Sequence, residues 1–170
     1  MVSVRSIEDL IYDCYNIARH NIRKVTRMPA IAPTATARPS RTLHIALWVA
    51  QVLLAAMFLM SGGMKLSQPI SALGAQMPWV TSVPAALVRF IGAAEIAGAL
   101  GLLLPSLTRI QPRLTAVAAL GLVAVMLLAS AFHLSRGEGA MVPMNLVLAA
   151  LAAFVAWGRG KAAPIAPRGA

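Results

Sequence analysis

Residues 114–134 read "LTAVAALGLVAVMLLASAFHL", a run without a single Lys, Arg, Asp or Glu. At about 1.5 Å per residue, roughly 20 helical residues cross a hydrocarbon core about 30 Å thick. Such a run is a transmembrane helix. Working outward, Leu43–Met64, Pro84–Leu104 and Val142–Trp157 have the same character. The last is the shortest and spans with local bilayer thinning or with help from its flanks. Composition agrees: 59% of the chain is hydrophobic and 12% charged, against roughly 45–50% and about 25% in soluble domains. The fold expected is an all-α membrane protein, a four-transmembrane antiparallel helix bundle.

The net charge of +10 raises the question of nucleic acid, and its distribution answers it. Arg5, Arg19, Arg23, Lys24, Arg27, Arg38 and Arg41 precede the first span. Arg109 and Arg113 separate spans two and three, and Arg159, Lys161 and Arg168 follow span four. The other two connections carry only Lys65 and Arg136, with Arg89 inside span two. The positive-inside rule then puts both termini of this multi-pass chain in the cytoplasm. The basic excess reports topology and attraction to anionic lipid, with no nucleic-acid partner. Trp48 and Trp157 fall near the inner face and Trp79 near the outer one, as an aromatic belt requires.

Residues 1–27 differ from the rest of the chain, holding three of the five acidic residues. Ile7, Leu10, Ile11, Cys14, Ile17, Ala18, Ile22 and Val25 recur at helical spacing, so residues 6–26 read as an amphipathic helix on the cytoplasmic leaflet. Ser6 with Asp9 suits a capping box. The alternative is an over-extended start, with Met28 the true first residue. Residues 28–42, including "PAIAPTATARPS" (29–40), read as a flexible linker. Residues 43–160 form the membrane domain, and 161–170 a basic tail. Pro105 is placed to end span two. The connection 65–83, with "SGG" before "QMPW", reads as an interfacial cap. Cys14 is the one cysteine, so no disulfide and no CxxC pair exists within the chain.

The polar residues inside the spans are the candidate site. Lys65 ends span one at the outer face, His133 ends span three there, and Asn145 opens span four. Arg89 lies about 7–8 Å deep from that face, and Glu95 near the midplane. Five polar residues from four helices thus share the outer half. Gln51 lies on the stripe Gln51, Ala55, Phe58, Gly62, Lys65, and Glu95 on the small-residue face Gly92, Glu95, Gly98, Ala99. Small faces let helices approach closely in lipid and turn these groups inward. An unpaired carboxylate at mid-membrane costs a few kcal/mol or more, so Glu95 needs a partner. Lys65 is the first choice and His133 the second. Arg89 stands about 120° around the helix from Glu95 and reads as an anchor snorkelling to the surface. Glu138 in "SRGEG" reads as a solvated loop charge, and Gln51 and Asn145 as interhelical hydrogen-bonding groups.

A buried ion pair is also a plain register device, so the cluster is structural, a ligand or proton site, or a contact for a protein partner. His44 and His133 lie about a membrane apart, which excludes bis-histidine haem. One His and one Glu offer no metal set, and no metal is expected. No Walker, Rossmann or serine-hydrolase pattern is present.

"FLMSGGMKL" (58–66), "VRFIGAAEIAGALGLLLPSLTRIQPRL" (88–114), "LASAFHLSRGE" (128–138) and "FVAWGR" (154–159), in this order, resemble the DoxX-like family of small bacterial membrane proteins. The likeness covers about residues 43–160 and leaves out the tail 1–42. It implies a compact four-helix bundle with Lys65, Glu95 and His133, and Arg89 and Gly92, at recurrent polar positions. The family takes its name from a subunit associated with a thiosulfate:quinone oxidoreductase, and other relatives are linked to membrane redox complexes or to assembly of membrane proteins. Similar bundles that oxidise thiols with quinone use paired cysteines, which these spans lack. The reading is therefore an accessory or binding protein rather than an enzyme, with no catalytic residue assigned. Its outer-half cavity of Lys65, Glu95, His133 and Asn145 would take a quinone, a lipid or a partner helix, the ion pair giving hydrogen bonds to a carbonyl or hydroxyl. The rival is a membrane subunit of a quinone-linked oxidoreductase with Glu95 and His133 as proton relay. A small transporter is disfavoured by the lack of an inverted repeat or broken helix. Partners are the bilayer and a redox or other membrane protein; oligomeric state is left open.

Overall fold

The computed structural model describes residues 7–26 and 40–169, in two separate units. The first is helix α1, Ile7–Thr26. Its side chains from Ile11 to Asn21 are exposed, among them Ile11, Tyr12, Tyr15 and Ile17, and Arg19 lies over the Tyr15 ring. The Ser6 cap, a start at Met28 and the linker up to Pro39 lie outside the described residues.

The second unit is the helical bundle. Helix α2 runs Arg41–Ser67, α4 Ala85–Thr108, α5 Arg113–Ser135 and α6 Val142–Trp157, with a short α3, Ile70–Gln76, between the first two. Ser40 starts α2, its Oγ accepting from the Leu43 amide at 3.2 Å. Helix α6 continues as a π-helical turn, Gly158–Ala162, and a 3-10 turn, Gly139–Met141, leads into it. The fourth apolar stretch thereby extends over Gly139–Ala162, and all four are long and apolar enough to cross a membrane. Helix α4 does not stop at Pro105 but runs three residues further. So near a helix end, the proline deprives only one carbonyl of its donor.

The helices pack in a ring: α2 on α4, α4 on α5, α5 on α6 and α6 back on α2. The interior is small and tight, with Leu54, Ala55, Phe58, Ala99, Leu102, Ala119, Leu122 and Ala152 buried. Val52, Leu53, Leu100, Leu104, Val117, Leu120, Leu127 and Val147 are exposed. An apolar belt around an equally apolar core is what lipid as solvent permits, because lipid does not drive leucine inward. The connection 68–83 folds as α3 and a 3-10 turn, Pro78–Ser82. Its Leu73 and Val80 are fully buried with Val88 of α4, against Met64, Ile70 and Trp79. It is a cap with a small core of its own, at the end of the bundle that carries Lys65.

Candidate functional site

The site begins with two glycines. A Cβ on Gly62 would lie 2.7 Å from the Gly92 carbonyl oxygen, and one on Gly92 2.8 Å from Lys65 Cβ. Only hydrogen at both places lets α2 and α4 touch along their backbones. That contact brings Lys65 to Glu95. Lys65 Nζ donates to both Glu95 carboxylate oxygens at 2.9 Å, and to Ser61 Oγ, one turn back, at 2.6 Å. Both charged residues are 4% exposed. The three ammonium protons have three acceptors, so the pair satisfies itself and carries no net charge.

Arg89 takes a different place from the one its sequence position suggested. Rather than reaching the surface, its Nη1 donates to the Lys65 carbonyl and its Nη2 to that of Gln68 at 2.7 Å. The last carbonyls of a helix lack intrahelical donors and gather partial negative charge. A cation on the neighbouring helix answers both. Arg89 therefore holds the end of α2, next to the ion pair and not part of it.

His133 is not bonded to Glu95. Its Nδ1 meets Glu138 Oε2 at 2.7 Å, while Arg136 Nε donates to Glu138 Oε1 at 2.9 Å. Glu138 is thus a tether and not a merely solvated charge. The His133 hydrogen bond first, and Arg136 second, hold its carboxyl below the usual carboxylate range. Gly137, at φ 73°, supplies the left-handed residue that folds the loop back onto His133. The ring also makes T-shaped contacts with Trp79 and Phe132, at 6.4 and 5.8 Å between centroids.

Gln51 leaves the cluster altogether. It belongs to a second polar centre, at the opposite end of the bundle. Its Nε2 donates to the Leu102 carbonyl at 2.6 Å and to Ser106 Oγ at 3.3 Å, and its Oε1 accepts from Arg159 Nε at 2.6 Å. Arg159 Nη1 also meets His44 Nδ1 at 2.8 Å, and its guanidinium lies 5.3 Å from the centre of the Trp48 ring. Ser106 and Thr115 close the group at 2.8 Å. Gly158 makes this possible, since a Cβ there would collide with the Leu47 side chain. The π turn then carries Arg159 inward, where it is 3% exposed. A count of positive residues assigns Arg159 to water; the pairing of Gln51 with a residue 108 positions away leaves no sequence signal.

Beside the Lys65 centre, with Trp79 and Val83 of the connection in its wall, lies a cavity of about 510 Å³. Its polar wall is Ser61, Lys65, Glu95, His133 and Asn145. Asn145 Nδ2 is buried without a hydrogen-bond partner. The remaining wall is apolar and runs out to both interhelical seams. Leu87, Phe90 and Leu128 line it from α4 and α5, and Met57 and Met60 from α2. Phe90, Leu128 and Met60 are 70%, 71% and 66% exposed, so they form rims open to the surroundings. Toward the other end the seams shut: Gly98 packs on Leu122, Gly101 on Ala118 and Gly158 on Leu47. Among the described residues, no three His, Cys, Asp or Glu side chains gather as a metal set.

The family model described as the DoxX-like family matches residues 49–155, more than half of the chain. This chain belongs to the DoxX-like family. No curated protein and no solved structure matches it. The DoxX-like match contains every residue of the cavity wall and Gln51, whereas His44 and Arg159 lie beyond its limits. As a multi-pass DoxX-like membrane protein with four apolar helices, it presents a matched ion pair, a tethered imidazole and an unpartnered amide to one largely apolar chamber.

Proposed function

We propose that this DoxX-like protein is a non-enzymatic accessory protein of the bacterial inner membrane that takes a small amphiphile, a quinone or a lipid, into the chamber beside Lys65 and Glu95. One observation carries the reading: a cavity of about 510 Å³ with a polar wall at one side and apolar rims at the bilayer-facing seams. That volume is in the range of ligand pockets, roughly 300–1,000 Å³. An amphiphile is the ligand whose polarity changes from one end to the other in the same way. An acceptor on its head also relieves the buried amide Nδ2 of Asn145, whose lack of a partner costs about 1–3 kcal/mol. With both termini cytoplasmic, as the positive charges favour, the chamber lies in the outer half of the membrane.

A second reading is favoured by the His133–Glu138 contact. An imidazole held by a carboxylate and lining the chamber is suited to accept a proton, as a membrane subunit of a quinone-linked oxidoreductase would need. Solvent extraction of the purified protein, followed by mass spectrometry of what it releases, tests the binding reading. A quinone or lipid retained at about one per chain is expected, and Ala129→Trp, which fills the chamber, should lose it while remaining folded. Equal recovery from both proteins, or none from either, contradicts the reading.

A further inference from the structure

We infer that the chamber selects a head group bearing a free hydroxyl, alcohol or phenol, and that His133 Nε2 is the acceptor that recognises it. The inference rests on the binding reading above and narrows its ligand to a lipid with a free hydroxyl or to the reduced quinol, since a quinone carries carbonyls alone. Its first ground is that the Lys65 ammonium has no proton to spare. Lys65 gives its protons to Ser61 and to both oxygens of Glu95, and an incoming group gains nothing by competing with a buried partner at 2.9 Å. The second ground is the tether. Glu138 is an acceptor through both oxygens, so the 2.7 Å contact with His133 Nδ1 requires the proton to sit on Nδ1. A ring carrying that one proton has a bare Nε2, with no hydrogen bond to it among the described residues. The third is position: His133 lines the chamber, its ring in T-shaped contact with Trp79 and Phe132.

A lone pair in such a wall asks for a donor. A carboxylate or phosphate offers only lone pairs, which Asn145 Nδ2 can use and Nε2 cannot, and the Lys65 ammonium is already neutralised by Glu95. An ether or ester offers no proton. A hydroxyl gives its proton to Nε2 and brings no net charge into a chamber that has none. Glu138 is the positioning residue, because without it the proton is free to move to Nε2 and the ring turns from acceptor to donor.

The test uses two probes with one tail, 4-nonylphenol and its methyl ether 4-nonylanisole, bound to the full chain in lipid nanodiscs and counted by native mass spectrometry. The phenol should bind about tenfold tighter than the ether, the value of one hydrogen bond near 1.4 kcal/mol. In His133→Phe the two should bind alike, at the ether's affinity. In Glu138→Gln the preference should shrink while ether affinity stays unchanged. Equal binding of both probes to the native protein overturns the hydroxyl inference and leaves the chamber as a binding site. A preference that survives His133→Phe overturns the assignment to Nε2. Binding of neither probe overturns the binding reading itself.

Discussion

At the Lys65 end a buried cation meets a buried carboxylate; at the Arg159 end a buried cation meets a carboxamide, an imidazole, a carbonyl and an indole face. The first arrangement cancels charge where the helix register puts Glu95 deep in the bundle. The second keeps a full positive charge and spreads it over dipoles, just past the end of α6, where helix carbonyls favour a cation. The first borders a chamber. The second is packed by Leu47 against Gly158 and cross-linked from α2 to α4 and α5 through Gln51, Ser106 and Thr115. The contrast teaches a division of labour: one polar centre closes the bundle, and the other holds it open beside a space.

Breaking the ion pair should have the largest effect. Lys65→Met leaves Glu95 buried alone and should cost about 3–5 kcal/mol, read as a fall in the thermal midpoint in detergent. Glu95→Gln alone should cost less, and Lys65→Met with Glu95→Gln should recover much of the loss. Equal melting of the two single variants would contradict the pairing. Next, Arg159→Met removes hydrogen bonds to a charged group and should cost about 1.5–3 kcal/mol. No carboxylate is stranded there, so ligand retention in the chamber should stay as in the native protein; a lost ligand would join the two centres into one.

Smaller again is Gly92→Ala, whose Cβ would meet Lys65 Cβ at 2.8 Å and the Gly62 oxygen at 3.0 Å. It should cost about 1–2 kcal/mol through overpacking. Gly63→Ala, with nothing within 4 Å, is the control and should be neutral or slightly stabilising. The smallest effect is in the pH dependence of Glu138. Its carboxyl is held below its ordinary value in the folded protein. The stability it lends is present above the unfolded value and drains away as pH falls through the lowered one. Glu138→Gln should flatten that part of a melting-point profile between about pH 5 and the acid limit, and an unchanged profile would count against the tether.

The spans and the Lys65–Glu95 pair were legible because each rests on a local pattern. Uncharged runs of membrane length mark the helices, and a carboxylate at mid-span beside Gly92 and Gly98 demands a cation from a neighbour. Helical angles also separate Arg89 from Glu95. They do not tell where Arg89 goes, because its acceptors are backbone carbonyls that every residue carries. Glu138 was hidden by its loop: five residues beyond His133, it returns only through the left-handed Gly137. Gln51 shares a stripe with Lys65, yet fourteen residues of helix put about 21 Å between them, enough to reach the other polar centre. The π turn that buries Arg159 departs from the 3.6-residue period on which the reading of faces depends.

The most direct test of the chamber is to see which side chains a bound amphiphile touches. A long-chain phenol with a diazirine in its tail, irradiated with the protein in liposomes, should form adducts at Leu87, Phe90, Val125 and Ala129, and unlabelled phenol in excess should suppress them. Adducts spread over lipid-facing Val52, Leu100 and Leu127, with no competition, would contradict the account.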